Sequence, residues 1–286
     1  MRCGCLRPVV AVTRIFSDVH FCDPASSVQD LTQLRPLLDG ADQWIVNGDL
    51  LDTQVLDDAR PTVAAIRAFA RAQVPAHLFI TGNHDPDISE LHEHSLAGGA
   101  IWLTHGDVLY DDIAPWGHLA GEIRRRMRKH RAHLSLAEFT RLETRFPVFR
   151  RVCMKLPHDY DPRARGPWAR LLRTLRATFP PHRVLIMLKV WREMPGKAAA
   201  LARAQRPNAR VILMGHTHAP GAWERPDGRL VINTGTFCPP RKAFCVEVED
   251  EEVRVREVDR RSGEFRLGET LRRQRVRPGT GVAQPC

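Results

Sequence analysis

Four short apolar runs punctuate the first part of the chain: VVAVTRIF (9–16), QWIVNG (43–48), AHLFIT (76–81) and AIWLTH (100–105). They are rich in Ile, Val, Leu and aromatic residues and have strand length, so they predict strands. Between the second and third, DARPTVAAIRAFARAQ (58–73) places Val63, Ile66, Phe69 and Ala70 at helical spacing. Strand-helix-strand alternation predicts an α/β sheet.

From 107 to about 205 the period changes. EFTRLETRFPVFRRV sets Phe139, Leu142, Phe146 and Phe149 on one stripe with Arg141 and Arg145 off it, and PWARLLRTLRATF does the same with Trp168, Leu171, Leu172 and Leu175. This stretch reads as a helical insertion, with LPHDYDPRARGPW (156–168) as a Pro- and Asp-rich loop inside it. LHEHS (91–95) and His118 read as surface helix. Strand character returns at RVILMGHTH (210–218) and RLVINTGTF (229–237), and AFCVEVED (243–250) with EVRVREVD (252–259) alternates like a hairpin. The chain thus divides into a core in two parts, 1–106 and 206–270, a cap at 107–205, and a polar, frayed tail at 271–286.

Charge sharpens that division. The 286 residues carry a net +10, and residues 121–176 hold 16 Lys and Arg against 5 Asp and Glu, a net of +11. The remaining 27 basic and 28 acidic residues net −1. An excess confined to the cap suggests an anionic partner: nucleic acid, an acidic membrane face or a charged substrate. EIRRRMRKHRAH (122–133) could grip lipid headgroups, a pyrophosphate or a nucleic-acid backbone, or be a solvated helix face. Few aromatics interleave it, which counts against base stacking. The seven Cys are scattered with no CxxC pair, so free thiols and a reducing compartment are expected. No apolar stretch approaches the roughly 20 residues of a spanning helix, and the N-terminus reads as a first strand rather than a signal peptide.

The candidate chemistry lies where the apolar runs stop. Five runs end in Asp18-Val19-His20, Gly48-Asp49-Leu50-Leu51-Asp52, Gly82-Asn83-His84-Asp85, His105-Gly106-Asp107 and Gly215-His216-Thr217-His218. A surface turn explains any one of them; five in order, each at a strand end, are hard to obtain by accident. In open α/β sheets the carboxyl ends of strands converge on one crevice. Asp, Asn and His without thiolate suit Mn, Fe or Zn better than Ca or Mg. Seven such ligands exceed one site and fit two ions about 3.5–4 Å apart that share a carboxylate.

The ordered set SDVH, NGDLLD, TGNHD, LTHGD and MGHTH resembles the calcineurin-like metallophosphoesterases over about residues 9–107 and 210–237. The resemblance implies a four-layer α/β/β/α sandwich with a dinuclear site at one edge and a helical cap inserted. It places one metal on Asp18, His20, Asp49 and His218 and the other on Asp49, Asn83, His105 and His216, with Asp49 bridging. It implies Mn²⁺ first, with Fe or Zn as alternatives. His84 would meet the phosphate and protonate the leaving oxygen, and Asp52 would fix its tautomer. Asp85 would brace the turn. The implied reaction is in-line attack on phosphorus by a hydroxide bridging the two cations, without a covalent intermediate.

Asp52 is followed by Thr53-Gln54, not the Arg-Gly typical of Ser/Thr protein phosphatases. HGDVLYDDIAPW (105–116) is more similar to the UDP-2,3-diacylglucosamine pyrophosphatases of lipid A synthesis, although those enzymes commonly carry Arg where this chain has His84. That resemblance implies a nucleotide-linked lipid substrate. Asn83, Asp111, Asp112, Arg124, Arg125 and Arg128 would serve as substrate contacts, and the protein would be cytoplasmic or peripheral at the inner face of the membrane. No obligate protein partner is implied. A phosphodiesterase or nuclease with a nucleic-acid-binding cap is the alternative, and a non-catalytic protein-binding scaffold is the alternative from another class.

Overall fold

The computed structural model describes residues 11–156, 168 and 179–276. Eleven strands form two sheets among these residues. In chain order they are β1 (Thr13–Phe16), β2 (Gln43–Asn47), β3 (Ala76–Ile80), β4 (Glu93–Leu96), β5 (Ile101–Thr104), β6 (Val211–Met214), β7 (Gly221–Glu224), β8 (Leu230–Asn233), β9 (Phe244–Glu249), β10 (Glu252–Arg261) and β11 (Glu264–Arg275). The helices are α1 (Arg35–Leu38), α2 (Arg60–Gln73), α3 (Ala120–Arg131), α4 (Leu136–Thr140), α5 (Leu142–Cys153) and α6 (His182–Gln205).

The first sheet has the order β11-β10-β9-β1-β2-β3 and the second β4-β5-β6-β8-β7. β1, β2 and β3 run parallel, as do β5, β6 and β8, while the outer strands pair antiparallel. Successive strand residues point to opposite faces, and here each face meets a different layer. Trp44 and Val46 pack outward beside Leu37, Ile66 and Ala70 of α1 and α2. Ile45 between them points inward and packs with Ile101, Leu213 and Ile232 of the second sheet. The outer face of that sheet, with Trp102, Ile212 and Met214, is covered by Phe146 and Phe149 of α5 and Met194 and Ala198 of α6. Three apolar interfaces therefore separate four layers, α/β/β/α.

Several segments differ from the sequence-based expectation. Residues 93–95 belong to strand β4, with 91–92 the irregular chain leading into it, rather than to a surface helix, because β4 pairs with β5 and Glu93 accepts a hydrogen bond from the Trp102 indole at 2.6 Å. His118 lies in a turn before α3. The chain from 271 to 275 is not frayed but continues β11, paired along β10. The stripe from Phe139 to Phe149 is buried, but it is split: Arg141 is extended, so α4 ends and α5 begins across it. The loop expected at 156–168 and the stripe Trp168 to Leu175 fall almost wholly outside the described residues. Cys22, Cys153, Cys238 and Cys245 are free thiols, and Cys3, Cys5 and Cys286 lie outside the described residues. No described helix is long and apolar enough to cross a membrane.

Candidate metal centre

The carboxyl ends of β1, β2, β3, β5 and β6 meet at one edge of the two sheets. Asn47, at the end of β2, fastens them: its amide donates to the Thr104 carbonyl at 3.0 Å and the Leu213 carbonyl at 3.1 Å. The motifs that follow these strands are thereby brought together. Asp18, His20 and His218 form one group able to hold an ion, and Asp49, His105 and His216 a second; His20 with Asp52 and His84 makes a third that shares a member with the first.

Asp49 stands between the first two groups. Its Oδ2 lies 3.1 Å from His105 Nε2 and 3.9 Å from His20 Nε2. Its Oδ1 is held by the His84 backbone amide at 2.9 Å. Asn83 adds a neutral oxygen, with Oδ1 3.3 Å from His105 Nε2. On the first side, Asp18 Oδ1 is 3.1 Å from His218 Nε2, which is 3.0 Å from His20 Nε2.

Second contacts fix which ring nitrogen faces inward. His105 Nδ1 donates to the Asn47 carbonyl at 3.0 Å, leaving Nε2 for the site, and His216 Nε2 donates to the Ile113 carbonyl at 2.9 Å, leaving Nδ1. Asp18 is held through the His216 amide, 3.0 and 3.1 Å from its two oxygens, and by Ser17 Oγ, itself 2.6 Å from Thr234 Oγ1. Asp85 accepts from the amides of Gly82 at 2.8 Å, Leu50 at 2.7 Å and Asp49 at 3.1 Å, which ties the β2 and β3 turns together. Burial and the adjacent Asp49 carboxylate push Asp85 up to about 8.

The backbone carries strain where the donors sit. Asp18, His20, Asp49, His216 and His218 have φ of 52°, 49°, 52°, 65° and 55°. Non-glycine residues avoid this region, at a cost of about 1–3 kcal/mol each, and such strain gathers at functional sites.

The donor set fits divalent cations. Asp18 and Asp49 are fully buried, and among the described residues neither has an Arg or Lys partner. Buried carboxylates demand a counter-charge, and here only imidazoles face them. In the metal-free chain a proton on His105 fills that role. Burial lowers this imidazole, but the Asp49 carboxylate outweighs it and raises His105 to about 10. His216 is driven down to about 3 by burial and by the charge on His105. A ligating Nε2 must be deprotonated, so cation uptake at neutral pH releases this proton, and apparent affinity rises by about tenfold per pH unit as pH rises toward the His105 value. Calorimetric Mn²⁺ titrations in buffers of different ionisation heat check this; uptake without proton release contradicts it.

His84 sits beside the cluster with its Nδ1 3.1 Å from Asp52 Oδ2. The Asp52 side chain is 2% exposed and that of His84 26%, so a buried carboxylate holds a partly exposed ring. Burial raises Asp52, but the charge and hydrogen bond of His84 more than offset this and lower its pKa. Of the cap residues expected to contact substrate, all but Arg128 form ion pairs within the cap. Asp111 lies 3.0 Å from Arg145 and 3.9 Å from Arg131, Asp112 is 3.5 Å from Arg124, and Arg125 is 2.7 Å from Glu122. Arg128 is exposed on α3. Among the described residues no hydrogen bond or ion pair joins these side chains to the carboxylate–imidazole cluster.

Several positioning groups have no signature in the sequence: the carbonyls of Asn47 and Ile113, the Asn47 clamp, and Trp191, whose Nε1 donates to the Thr217 carbonyl at 3.0 Å. The NTGTF run after β8 marks only a turn, yet Thr236 Oγ1 donates from it to the Asp18 carbonyl at 2.9 Å.

The profile of one protein family, calcineurin-like phosphoesterase, matches residues 13–220. No curated protein matches the chain. Among solved structures, Vacuolar Protein Sorting 29 from Cryptosporidium parvum is 14% identical with a TM-score of 0.45, covering 91% of this chain and 96% of its own. Vps29 from Chaetomium thermophilum is 12% identical with a TM-score of 0.46, over 91% and 97%. A dimetal phosphatase from Danio rerio is 13% identical with a TM-score of 0.39, over 87% and 96%.

Proposed function

The chain belongs to the calcineurin-like phosphoesterases, and on that premise we propose that it is a dimetal hydrolase that cleaves the pyrophosphate of a nucleotide-linked lipid such as UDP-2,3-diacylglucosamine. The observation that carries the hydrolase reading is the His84–Asp52 pair set beside two carboxylate–imidazole groups that share Asp49. Asp18, His20, Asp49 and His218 would hold one cation, and Asp49, Asn83, His105 and His216 the other. Bound divalent cations supply an acidified water and neutralise phosphoryl charge.

The remaining chemistry belongs to the chain. His84, its Nδ1 committed to Asp52, presents a proton at Nε2 to the leaving oxygen. Asp52 stabilises the imidazolium form and holds the ring in place. Asp85 keeps the amides of Gly82, Asp49 and Leu50 in register, so Asp49 and His84 stay at fixed separation. No serine or cysteine nucleophile is needed. Cys153 is buried and Cys238 half-buried, and desolvation raises both thiols, which suits packing rather than attack.

The substrate is the finer part of the proposal. It is supported by the His105-Gly106-Asp107 run that leads into the Asp111-Asp112 pair and a helical layer, and by the basic outer face of α3, where Arg124, Arg125, Arg128 and Lys129 are exposed. Such a face attracts anionic headgroups at about 1 kcal/mol per basic residue. The test is product analysis. The Mn²⁺-loaded protein is offered UDP-2,3-diacylglucosamine, bis(p-nitrophenyl) phosphate and single-stranded DNA, with Asp49→Ala as control. Release of UMP from the lipid far above the other rates is expected. Cleavage of the chromogenic diester alone keeps the hydrolase and removes the lipid. DNA cleavage favours the nuclease alternative, and no cleavage at all leaves a binding scaffold.

A further inference from the structure

Trp191 and Arg241 make an unusual pair at the rim of the metal centre. Trp191, on α6, is fixed by its Nε1 donating at 3.0 Å to the carbonyl of Thr217, the residue between His216 and His218. The Arg241 guanidinium lies over the indole, its Cζ 3.9 Å from the ring centre. Arg241 arrives on the loop after β8, and that loop hangs from the other flank of the centre. Thr236 Oγ1 and the Phe237 amide both donate to the Asp18 carbonyl, at 2.9 and 3.1 Å, and the Arg241 amide donates to the Cys238 carbonyl at 3.3 Å. Both partners of the stack are therefore anchored to backbone that also aims metal-ligating side chains.

The charge of Arg241 is left over. Its neighbour Lys242 is neutralised by Glu257 at 2.9 Å, whereas Arg241 makes no ion pair among the described residues. It is half-buried, and burial lowers its pKa. Stacking is a modest gain, which gives no reason to set an unpaired cation beside a site that gathers cations. An incoming anion does. A guanidinium stacked by its face keeps its in-plane N–H edge for a bidentate anion, the geometry phosphate oxygens match.

We propose that Arg241, stacked on Trp191, forms an anion subsite that takes a second phosphate group of the substrate, next to the phosphate held at the metal centre. The inference rests on the dimetal reading above and deepens it: the preferred ligands carry two adjoining phosphates.

Binding tests it without turnover. The Mn²⁺-loaded protein is titrated calorimetrically with methylenediphosphonate and with methylphosphonate. The wild type is expected to bind the diphosphonate at least tenfold more tightly. Arg241→Gln is expected to remove most of that preference, Trp191→Leu to reduce it several-fold, and Lys242→Gln to keep it. An unchanged preference in Arg241→Gln, or none in the wild type, overturns the subsite. Should Arg241→Gln not fold, Arg241→Lys keeps the charge without the fork: a several-fold loss of preference supports the subsite and no loss overturns it. Diphosphonate bound through Arg241 by a chain that hydrolyses no phosphoester would refute the hydrolase reading and keep the subsite. Turnover by the wild type with an unchanged preference in Arg241→Gln would do the reverse.

Discussion

Replacing His84 by Ala lowers turnover by about 10²–10⁴-fold, the usual contribution of a positioned general acid, and leaves cation binding intact. The division follows from geometry. His84 Nδ1 is 3.1 Å from Asp52 Oδ2, and its backbone amide, which the substitution keeps, is what holds Asp49 Oδ1 at 2.9 Å. The loss should be greatest for substrates with poor leaving groups, which need the proton most. It should shrink for p-nitrophenyl esters, whose leaving group departs as an anion. Steady-state kinetics on both substrate types, with metal content measured on the same protein, decides it. Equal losses on both, or lost metal, would show that His84 holds the site together rather than protonating. Asp52→Asn should give an intermediate loss, because the ring keeps a hydrogen-bonding neighbour but loses the carboxylate that balances its charge as it shuttles the proton.

Gly82→Ala is expected to be as damaging as loss of a ligand, although Gly82 ligates nothing. A Cβ there would collide with Asp49 Oδ1 and come within 2.5 Å of the Asp49 backbone nitrogen. Neither can retreat: Oδ1 is tied to the His84 amide, and the nitrogen donates to Asp85 at 3.1 Å. Asp49 must therefore turn, and its Oδ2 leaves the position it shares between His105 and His20. Overpacking of this kind costs about 1–3 kcal/mol in stability, a fall of roughly 2–12 °C in Tm. Metal affinity and turnover should fall together by at least about a hundredfold, since both cation sites use Asp49. Calorimetric metal titration with thermal melts checks it. A variant with wild-type metal binding would mean that Asp49 is not the shared ligand.

The site was legible in the sequence because its side chains follow apolar runs. Ile45 and Val46 announce β2, and Gly48-Asp49 announces where it ends, so one motif fixes both a strand and a donor. Backbone geometry left no such trace. Nothing in the letters Asp18-Val19-His20 tells that both donors sit at positive φ, because that strain is imposed from outside, by Asp18 N donating to Gly48 O at 3.1 Å and His20 N to Asp49 O at 3.0 Å. The carbonyl of Ile113, which fixes the His216 ring, is equally silent: any residue offers one. The misread elements fail for a different reason. β4 carries Glu93 and His94, which look like a surface helix, but pairing with β5 and contacts of Glu93 with Trp102 and Arg206 override local preference. β11 alternates weakly because one of its faces is exposed and its apolar positions are few, as an edge strand rich in Arg and Glu permits.

The central claim, that Asp49 joins two cation sites in a phosphoester hydrolase, is tested most directly by metal content and phosphodiester turnover read on one preparation. Wild type and Asp49→Asn are loaded with Mn²⁺, desalted, and assayed by elemental analysis and with bis(p-nitrophenyl) phosphate. The account predicts two metal ions per wild-type chain with turnover, and loss of both ions and of turnover in Asp49→Asn. A wild-type chain that retains no metal, or an Asp49→Asn chain that turns over at the wild-type rate, would contradict it.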